Sequence, residues 1–240
     1  MGTPKLGPVI AIDGPAGTGK SSVTKRLCEN LGYVHVDTGA LYRAVAYLLM
    51  DRGDWPMQLP KTLTAEQIQK ATELAHSIHL EFRRNPELKP ANRISANGND
   101  VTSSIRTPEI SMGASAVSAI PEVRSSLLGL QRKLGCAGRT ILEGRDIGTV
   151  IFPDADVKFF LTASVEERAK RRLLELQNAG AQAPSLEEVR AQLAKRDHDD
   201  STRAVAPLKK AEDAVAVDTT LLTLDQVVQK MEEIIRKKVG

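Results

Sequence analysis

Only two cysteines, Cys28 and Cys136, occur in the 240 residues, and they lie far apart without a C-x-x-C partner. A disulfide framework and a cysteine-based zinc site are thereby excluded as organising features, and both thiols are expected to be reduced and packed. Phe, Tyr and Trp together make up 3% of the chain, with a single Trp, so the aromatic-interleaved basic surface of a single-strand nucleic-acid binder is missing. Net charge is scarce too: 33 Lys and Arg against 30 Asp and Glu leave +3, which gives little support to wholesale binding of nucleic acid. No apolar run approaches the roughly 18 residues of a membrane span. The first expected strand begins within eight residues of the N-terminus, with no basic-then-apolar leader before it. These absences leave the cytoplasm as the default, with no membrane or nucleic-acid partner; a monomer is expected. The length allows one large α/β domain with insertions.

What is present is concentrated near the start. Val9-Ile10-Ala11-Ile12 is a short continuous apolar run, as a strand covered on both faces requires. Gly14-Pro15-Ala16-Gly17-Thr18-Gly19-Lys20-Ser21 follows and fits G-x-x-x-x-G-K-[ST], with Ser22 to Leu31 continuing as a helix. Glycines let successive backbone N–H groups converge on phosphate oxygens, Lys20 adds a cation, and the Ser21 hydroxyl is a ligand for Mg²⁺. The unpaired N–H groups and positive dipole end of the helix favour an anion at the same place. ATP with Mg²⁺ is the expected cofactor, held by Gly14 to Ser22.

The rest alternates strand and helix. Tyr33 to Asp37 reads as a second strand, and Asp37-Thr38-Gly39 opens a helix that Thr38 can cap and whose first turns carry Arg43. Taken alone, Arg43 reads as a solvated helix residue. Gly53 to Thr62 reads as a loop, Thr64-Ala65-Glu66-Gln67 as a capping box, and the runs around Ile78 to Phe82 and Arg93 to Val101 as a small antiparallel meander. Asn85-Pro86 breaks that meander, and Asn97-Gly98 marks its hairpin. Helices are expected from Thr107-Pro108, carrying Ser115, and from Pro121, carrying Arg124. Arg139 to Leu142 is a third core strand, which delivers Glu143-Gly144-Arg145-Asp146 to the carboxyl edge where open α/β sheets bind ligands. Spacing alone leaves open whether these charges serve function or packing.

Asp156 to Leu161 gives a fourth strand, and Ser164 to Glu167 caps a helix in which Arg168, Arg171 and Arg172 share one side. Ala179 to Pro184 breaks this helix, and Ser185 to Glu188 caps the next, which runs into the charged stretch Arg196 to Arg203 and is expected to form a lid over about 180–203. Ala214 to Val217 is a fifth strand, and Thr223 to Gln226 caps the last helix. The fold class that follows is α/β, a doubly wound five-stranded parallel sheet of the P-loop kinase type. Residues 1–61 and 106–240 are assigned to the core and 62–105 to an inserted domain.

Several blocks together resemble the bacterial cytidylate kinases: Ile12 through Ser22, Asp37-Thr38-Gly39-Ala40-Leu41-Tyr42-Arg43, Asn97-Gly98 and Ile105-Arg106-Thr107 in the first half. Glu143-Gly144-Arg145-Asp146-Ile147-Gly148-Thr149, Phe152-Pro153-Asp154-Ala155 and Arg196-Asp197-x-x-Asp200-x-x-Arg203 through Leu208 continue it over almost the whole chain. The phosphate loop is shared with many NTPases, whereas the D-[ST]-G-A-x-Y-R and G-R-D-x-G-T blocks are far more specific. The resemblance implies transfer of the γ-phosphate of ATP to CMP or dCMP, with 62–105 as the acceptor-binding insertion. It implies that Ser115, Arg124 and Asp146 contact the base, that Arg43, Arg145 and Arg196 surround the acceptor phosphate, and that Asp200 meets the ribose. Thr38 is then a nucleotide contact, Arg203 a lid residue, Arg171 a residue of the ATP side, and Lys20, Arg145, Arg196 and Arg203 the catalytic cations. Glu143 stands where many relatives are expected to carry Asp, and Asp199 and Ser201 where some carry arginine, leaving a less basic lid. A kinase for another acceptor such as UMP, or a nucleotide-switched binding module, are the alternative readings.

Overall fold

The computed structural model describes residues 4–57, 60, 62–84, 87, 92–178 and 184–240. The breaker Asn85-Pro86, part of the loop 53–62 and most of the expected break at 179–184 lie outside the described residues. The chain gathers into two compact units, Met1–Val36 with Arg132–Gly240, and Asp37–Gln131.

The first unit holds the five-stranded sheet, ordered β2-β6-β1-β7-β8, where β1 is Val9–Asp13, β2 Val34–Asp37, β6 Thr140–Gly144, β7 Val157–Thr162 and β8 Val215–Asp218. β1 is buried along its whole length and pairs in parallel with β6 and β7, so Asp13 lies opposite Gly144 and Phe160. That register brings the ends of the three central strands to one edge. Ile10 and Ile12 of β1 pack with Val23 and Leu27 of α1 (Lys20–Leu31) and with Val227, Met231 and Ile235 of α8 (Leu224–Val239). Ala16 joins Ala169 of α6 (Val165–Asn178) and Val189 and Leu193 of α7 (Leu186–Thr202). Ser185 and Thr223 close both hydrogen bonds of their capping boxes.

The second unit contains α2 (Gly39–Asp51), α3 (Ala65–Ser77), the sheet β3-β4-β5 (Leu80–Arg84, Asn92–Ala96, Asn99–Asp100) and α4 (Pro108–Ser118). α5 (Pro121–Cys136) begins here and continues past the unit's last residue. Asn97 and Gly98 both take positive φ, 51° and 83°, as a tight hairpin turn requires. Thr64 closes the expected capping box with Gln67. At α2, by contrast, the Thr38 side chain makes no cap hydrogen bond, and the Asp37 carboxylate accepts the Ala40 N–H at 3.2 Å instead. The unit is wider than the segment 62–105. Leu80, Ile94, Ala96 and Val101 of the meander share one buried cluster with Leu41, Val45 and Leu49 of α2 and Ile110, Ala114 and Val117 of α4, so the flanking helices side with the insertion.

Two residues at the end of β1 set the geometry of everything built on the sheet edge. Gly14 has φ 146°, and a Cβ there would lie 2.2 Å from the Leu161 carbonyl oxygen on the neighbouring strand. Asp13 is 4% exposed, and its two carboxylate oxygens accept the N–H groups of Ile147 and Gly148, each at 2.8 Å. This pins the start of the π-helical turn Ile147–Ile151 that follows β6. Burial pushes the Asp13 carboxyl up from 3.8 to about 6, with the Gly148 and Ile147 donors opposing and Asp146 reinforcing the rise.

Gly14→Ala is expected to cost about 3 kcal/mol or more, because the new methyl meets backbone that cannot rotate away. Gly19→Ala, at φ 86° but with no atom within 4 Å of the new Cβ, should cost only the left-handed strain, about 1–2 kcal/mol. Urea unfolding of both variants decides it, and equal losses would show that the Leu161 contact is relieved at little cost. For Asp13, the folded chain holds the proton more tightly than the unfolded chain. Its contribution is therefore fully present below 3.8 and lost as pH rises through about 6. A shift of that size corresponds to about 3 kcal/mol. Asp13→Asn should flatten the corresponding fall in unfolding free energy between about pH 4 and about pH 7. An unfolding free energy whose pH dependence matches the parent's would place that proton elsewhere.

Candidate active site

Within the first unit, the loop from Gly14 to Ser21 joins the end of β1 to the start of α1. Lys20 is 7% exposed, and its ammonium donates to the carbonyls of Gly14 at 2.7 Å and Pro15 at 2.6 Å, with the Thr18 hydroxyl at 3.4 Å. Burial and the neighbouring Arg145 hold its pKa well below the ordinary lysine value, Arg196 pushes the same way, and Glu143 and Asp13 oppose. A cation kept there is destabilised by its surroundings and gains from an incoming anion. Ser21 and Ser22 are exposed at the first turn of α1. The Ser21 hydroxyl donates to Glu143 Oε2 at 2.8 Å, and His35 Nε2 lies 2.8 Å from Glu143 Oε1.

The loop is braced from behind by residues that the sequence pattern did not single out for this task. Arg168, 5% exposed, donates to the carbonyl of Ala16 at 3.0 Å and of Ala163 at 3.1 Å, and pairs with Asp197 at 2.6 Å. It therefore ties the phosphate loop to α7. Thr219 donates to the Thr18 carbonyl at 3.2 Å, and Arg171 holds Thr219 through its hydroxyl at 3.1 Å and its carbonyl at 2.7 Å. Arg171 thus reaches the loop through Thr219. The shared helix side of Arg168 and Arg171 was legible from spacing, but Thr219 follows β8 and carries no sequence signal.

Beyond β6, arginines and carboxylates interlock. Arg145 Nε donates to Asp200 at 2.9 Å, while Arg203 lies 4.0 Å from the other Asp200 oxygen and 3.5 Å from Asp146. Burial pushes the Asp200 carboxyl up, and Arg145, Arg196 and Arg203 outweigh it, leaving it below the usual carboxylate range. Asp146 lies within ion-pair distance of Arg203, at 3.5 Å. The charged end of α7 is one continuous helix to Thr202, its Asp197 and Asp200 turned onto arginines of the same unit, while Lys195 and Asp199 pair along the helix at 2.5 Å. Arg145, Asp146, Arg196, Asp200 and Arg203 are thereby brought together with Lys20.

The second unit carries the remaining expected residues. Arg43 pairs with Asp37 at 2.6 Å. Arg124, 6% exposed, donates to the Ser118 carbonyl at 3.2 Å and stacks 5.5 Å over the ring of Tyr42. Ser115 lies three residues before Ser118 on α4, and its carbonyl accepts the Ser118 hydroxyl at 2.9 Å. Thr38, 3% exposed, sits at the N-terminus of α2.

For Mg²⁺, the Ser21 hydroxyl and Glu143 carboxylate supply neighbouring hard oxygens of the kind that ion takes. Among the described residues no group of three or more His, Cys, Asp or Glu could hold an ion alone. A site with few protein ligands suits an ion that keeps water and phosphate oxygens in its shell. Among the described residues no helix is long and apolar enough to cross a membrane.

The sequence model of the cytidylate kinase family matches residues 10–237. A cytidylate kinase of Geobacter sp. (strain M21) is 48% identical over 234 residues, spanning 98% of this chain and 95% of that protein. The cytidylate kinase of Geobacter sulfurreducens is 49% identical over the same share of each. In Synechocystis, a bifunctional pantoate ligase/cytidylate kinase is 46% identical over 230 residues, which are 96% of this chain and 43% of that longer protein. With a family match spanning nearly every element described above, the chain belongs to the cytidylate kinase family.

Proposed function

We propose that this chain transfers the γ-phosphoryl group of ATP to the 5′-phosphate of CMP or dCMP, giving ADP and CDP or dCDP. The observation that carries it is the gathering of Lys20, Arg145, Arg196 and Arg203 at the edge of β1 and β6, beside a phosphate loop, in a chain of this family.

The backbone of Gly14 to Ser21 and the Lys20 ammonium would hold the β- and γ-phosphates. Ser21 would hold Mg²⁺ with Glu143 beside it, and the ion supplies charge neutralisation between the phosphates. An acceptor phosphate oxygen attacks the γ-phosphorus as the bond from that phosphorus to the β–γ bridging oxygen breaks. The attacking oxygen carries no proton near neutral pH, so no general base is needed and positioning with charge neutralisation suffices. In the first unit Arg145 and Arg196 suit the acceptor phosphate and Arg203 the charge that develops in transfer; in the second unit Arg43 is a cation that suits a phosphate. Asp200 suits the ribose, and Thr38 a further nucleotide contact. In the first unit the Asp146 carboxylate suits the exocyclic amine of cytosine, as an acceptor only; in the second unit Arg124 and Ser115 are donors of the kind that ring acceptors take. Arg171 supports the ATP side through Thr219. Closure of α7 would exclude water as a competing acceptor. A cytoplasmic monomer acting on free nucleotides, within pyrimidine nucleotide metabolism and without nucleic acid or a membrane, fits the near-balanced charge.

An ADP-release assay across CMP, dCMP, UMP, AMP and no acceptor tests the assignment. Turnover independent of acceptor would favour a nucleotide-switched module instead. Lys20→Ala should abolish transfer while leaving the melting transition in place, since its ammonium meets loop carbonyls rather than the apolar core. UMP would set a carbonyl against Asp146, a mismatch of about 1–3 kcal/mol. CMP should therefore be preferred by about tenfold to a few hundredfold. Asp146→Asn, whose amide can rotate to donate, should lower kcat/KM for CMP and narrow the CMP-to-UMP ratio. A ratio unchanged within about twofold would remove the base-reading role.

A further inference from the structure

His35 is not among the residues assigned above to nucleotide, metal or acceptor, yet it meets the Glu143 carboxylate that the Ser21 hydroxyl touches. It sits on β2, Glu143 on the adjacent β6, and Ser21 at the first turn of α1. The Glu143 carboxylate stands between the other two at 2.8 Å on each side, one oxygen toward each. Both participants from the strands are sheltered, with side-chain exposures of 13% for His35 and 5% for Glu143. A carboxylate offers lone pairs only, so His35 faces it with a proton on Nε2. A glutamate carboxylate rides on three torsions, and donors on both of its oxygens, Ser21 on one and His35 on the other, restrict rotation about the last of them.

We propose that His35 is a positioning residue for the metal end of the nucleotide site. It orients Glu143 so that one carboxylate oxygen is presented at Ser21, where a Mg²⁺-bound di- or triphosphate is to be held. The inference rests on the ATP and Mg²⁺ reading above and adds to it a residue that touches neither ion nor nucleotide. His35 reaches Ser21 through Glu143, so its effect is expected in the Mg²⁺-dependent part of nucleotide binding. Binding of ADP without the ion and binding of the acceptor should be insensitive to it.

Calorimetric titration of ADP, with and without Mg²⁺, reads this without turnover. His35→Leu should weaken MgADP about tenfold, the size usual for removal of a residue that supports a metal ligand. It should leave metal-free ADP unchanged, and His35→Gln, which restores an N–H donor of similar reach, should recover affinity to within about twofold. In a Glu143→Ala background, His35→Leu should have no further effect, as expected for residues acting in series. If His35→Leu does not fold, His35→Phe fills the ring's volume without the donor and replaces it. Equal weakening of ADP with and without Mg²⁺, no rescue by glutamine, or full additivity with Glu143→Ala would each overturn the proposal. A parent protein that binds no MgADP would instead overturn the nucleotide reading on which this one stands.

Discussion

Burying cations is the constraint on which the first unit depends. Lys20, Arg145, Arg168, Arg196 and Arg203 converge beside the end of β1, and the protein matches them with carboxylates from several elements. Arg168 takes Asp197, Arg145 takes Asp200, and Arg203 lies between Asp200 and Asp146. Such pairs are poor sources of stability, because desolvating both partners costs about what their attraction returns. Their placement makes sense as a charge balance among pre-oriented groups, one that an incoming anion would redraw. Lys20 expresses this most directly, its ammonium meeting loop carbonyls and its pKa driven down by burial and Arg145.

The phosphate loop, the alternation of strands and helices and the capping boxes at Thr64, Ser185 and Thr223 were legible because each is written in consecutive residues. What the sequence hid depends on neighbours across the fold. The extent of the second unit is decided by a buried cluster joining α2 and α4 to the meander, which no local turn signal reports. The cap of α2 passed from Thr38 to Asp37 because Thr38 already has helical φ −67° and ψ −26° instead of the extended backbone of a capping residue, and the Asp37 carboxylate takes both Ala40 N–H and Arg43. Thr219 and His35 acquire their neighbours only when β8 and β2 take their places in the sheet.

The bracing of the loop also explains why α6 and α7 are tied to it. Arg168 spends its guanidinium on three partners in different segments: the Ala16 carbonyl in the loop, the Ala163 carbonyl before α6, and Asp197 on α7. A displacement of α7 therefore changes what holds the loop carbonyl, and a change at the loop is felt at Asp197. Glycine at position 14 serves the same end from the other side, since only a residue without Cβ lets the loop leave β1 against the Leu161 carbonyl.

Two carboxylates in this unit are pushed in opposite directions, and the contrast decides what each can do. Asp200 faces arginines and is held ionised, whereas Asp13 is buried beside Asp146 and rises to about 6. A carboxyl group near neutrality in a site cleft is often a general base. Asp13 is not placed for that, because both its oxygens are occupied by the N–H groups of Ile147 and Gly148 at 2.8 Å. Nor does transfer to a phosphate oxygen require a proton to be removed. The raised pKa is instead the consequence of using a buried carboxylate as a clamp: its two donors fix the turn after β6, which begins directly after Arg145 and Asp146.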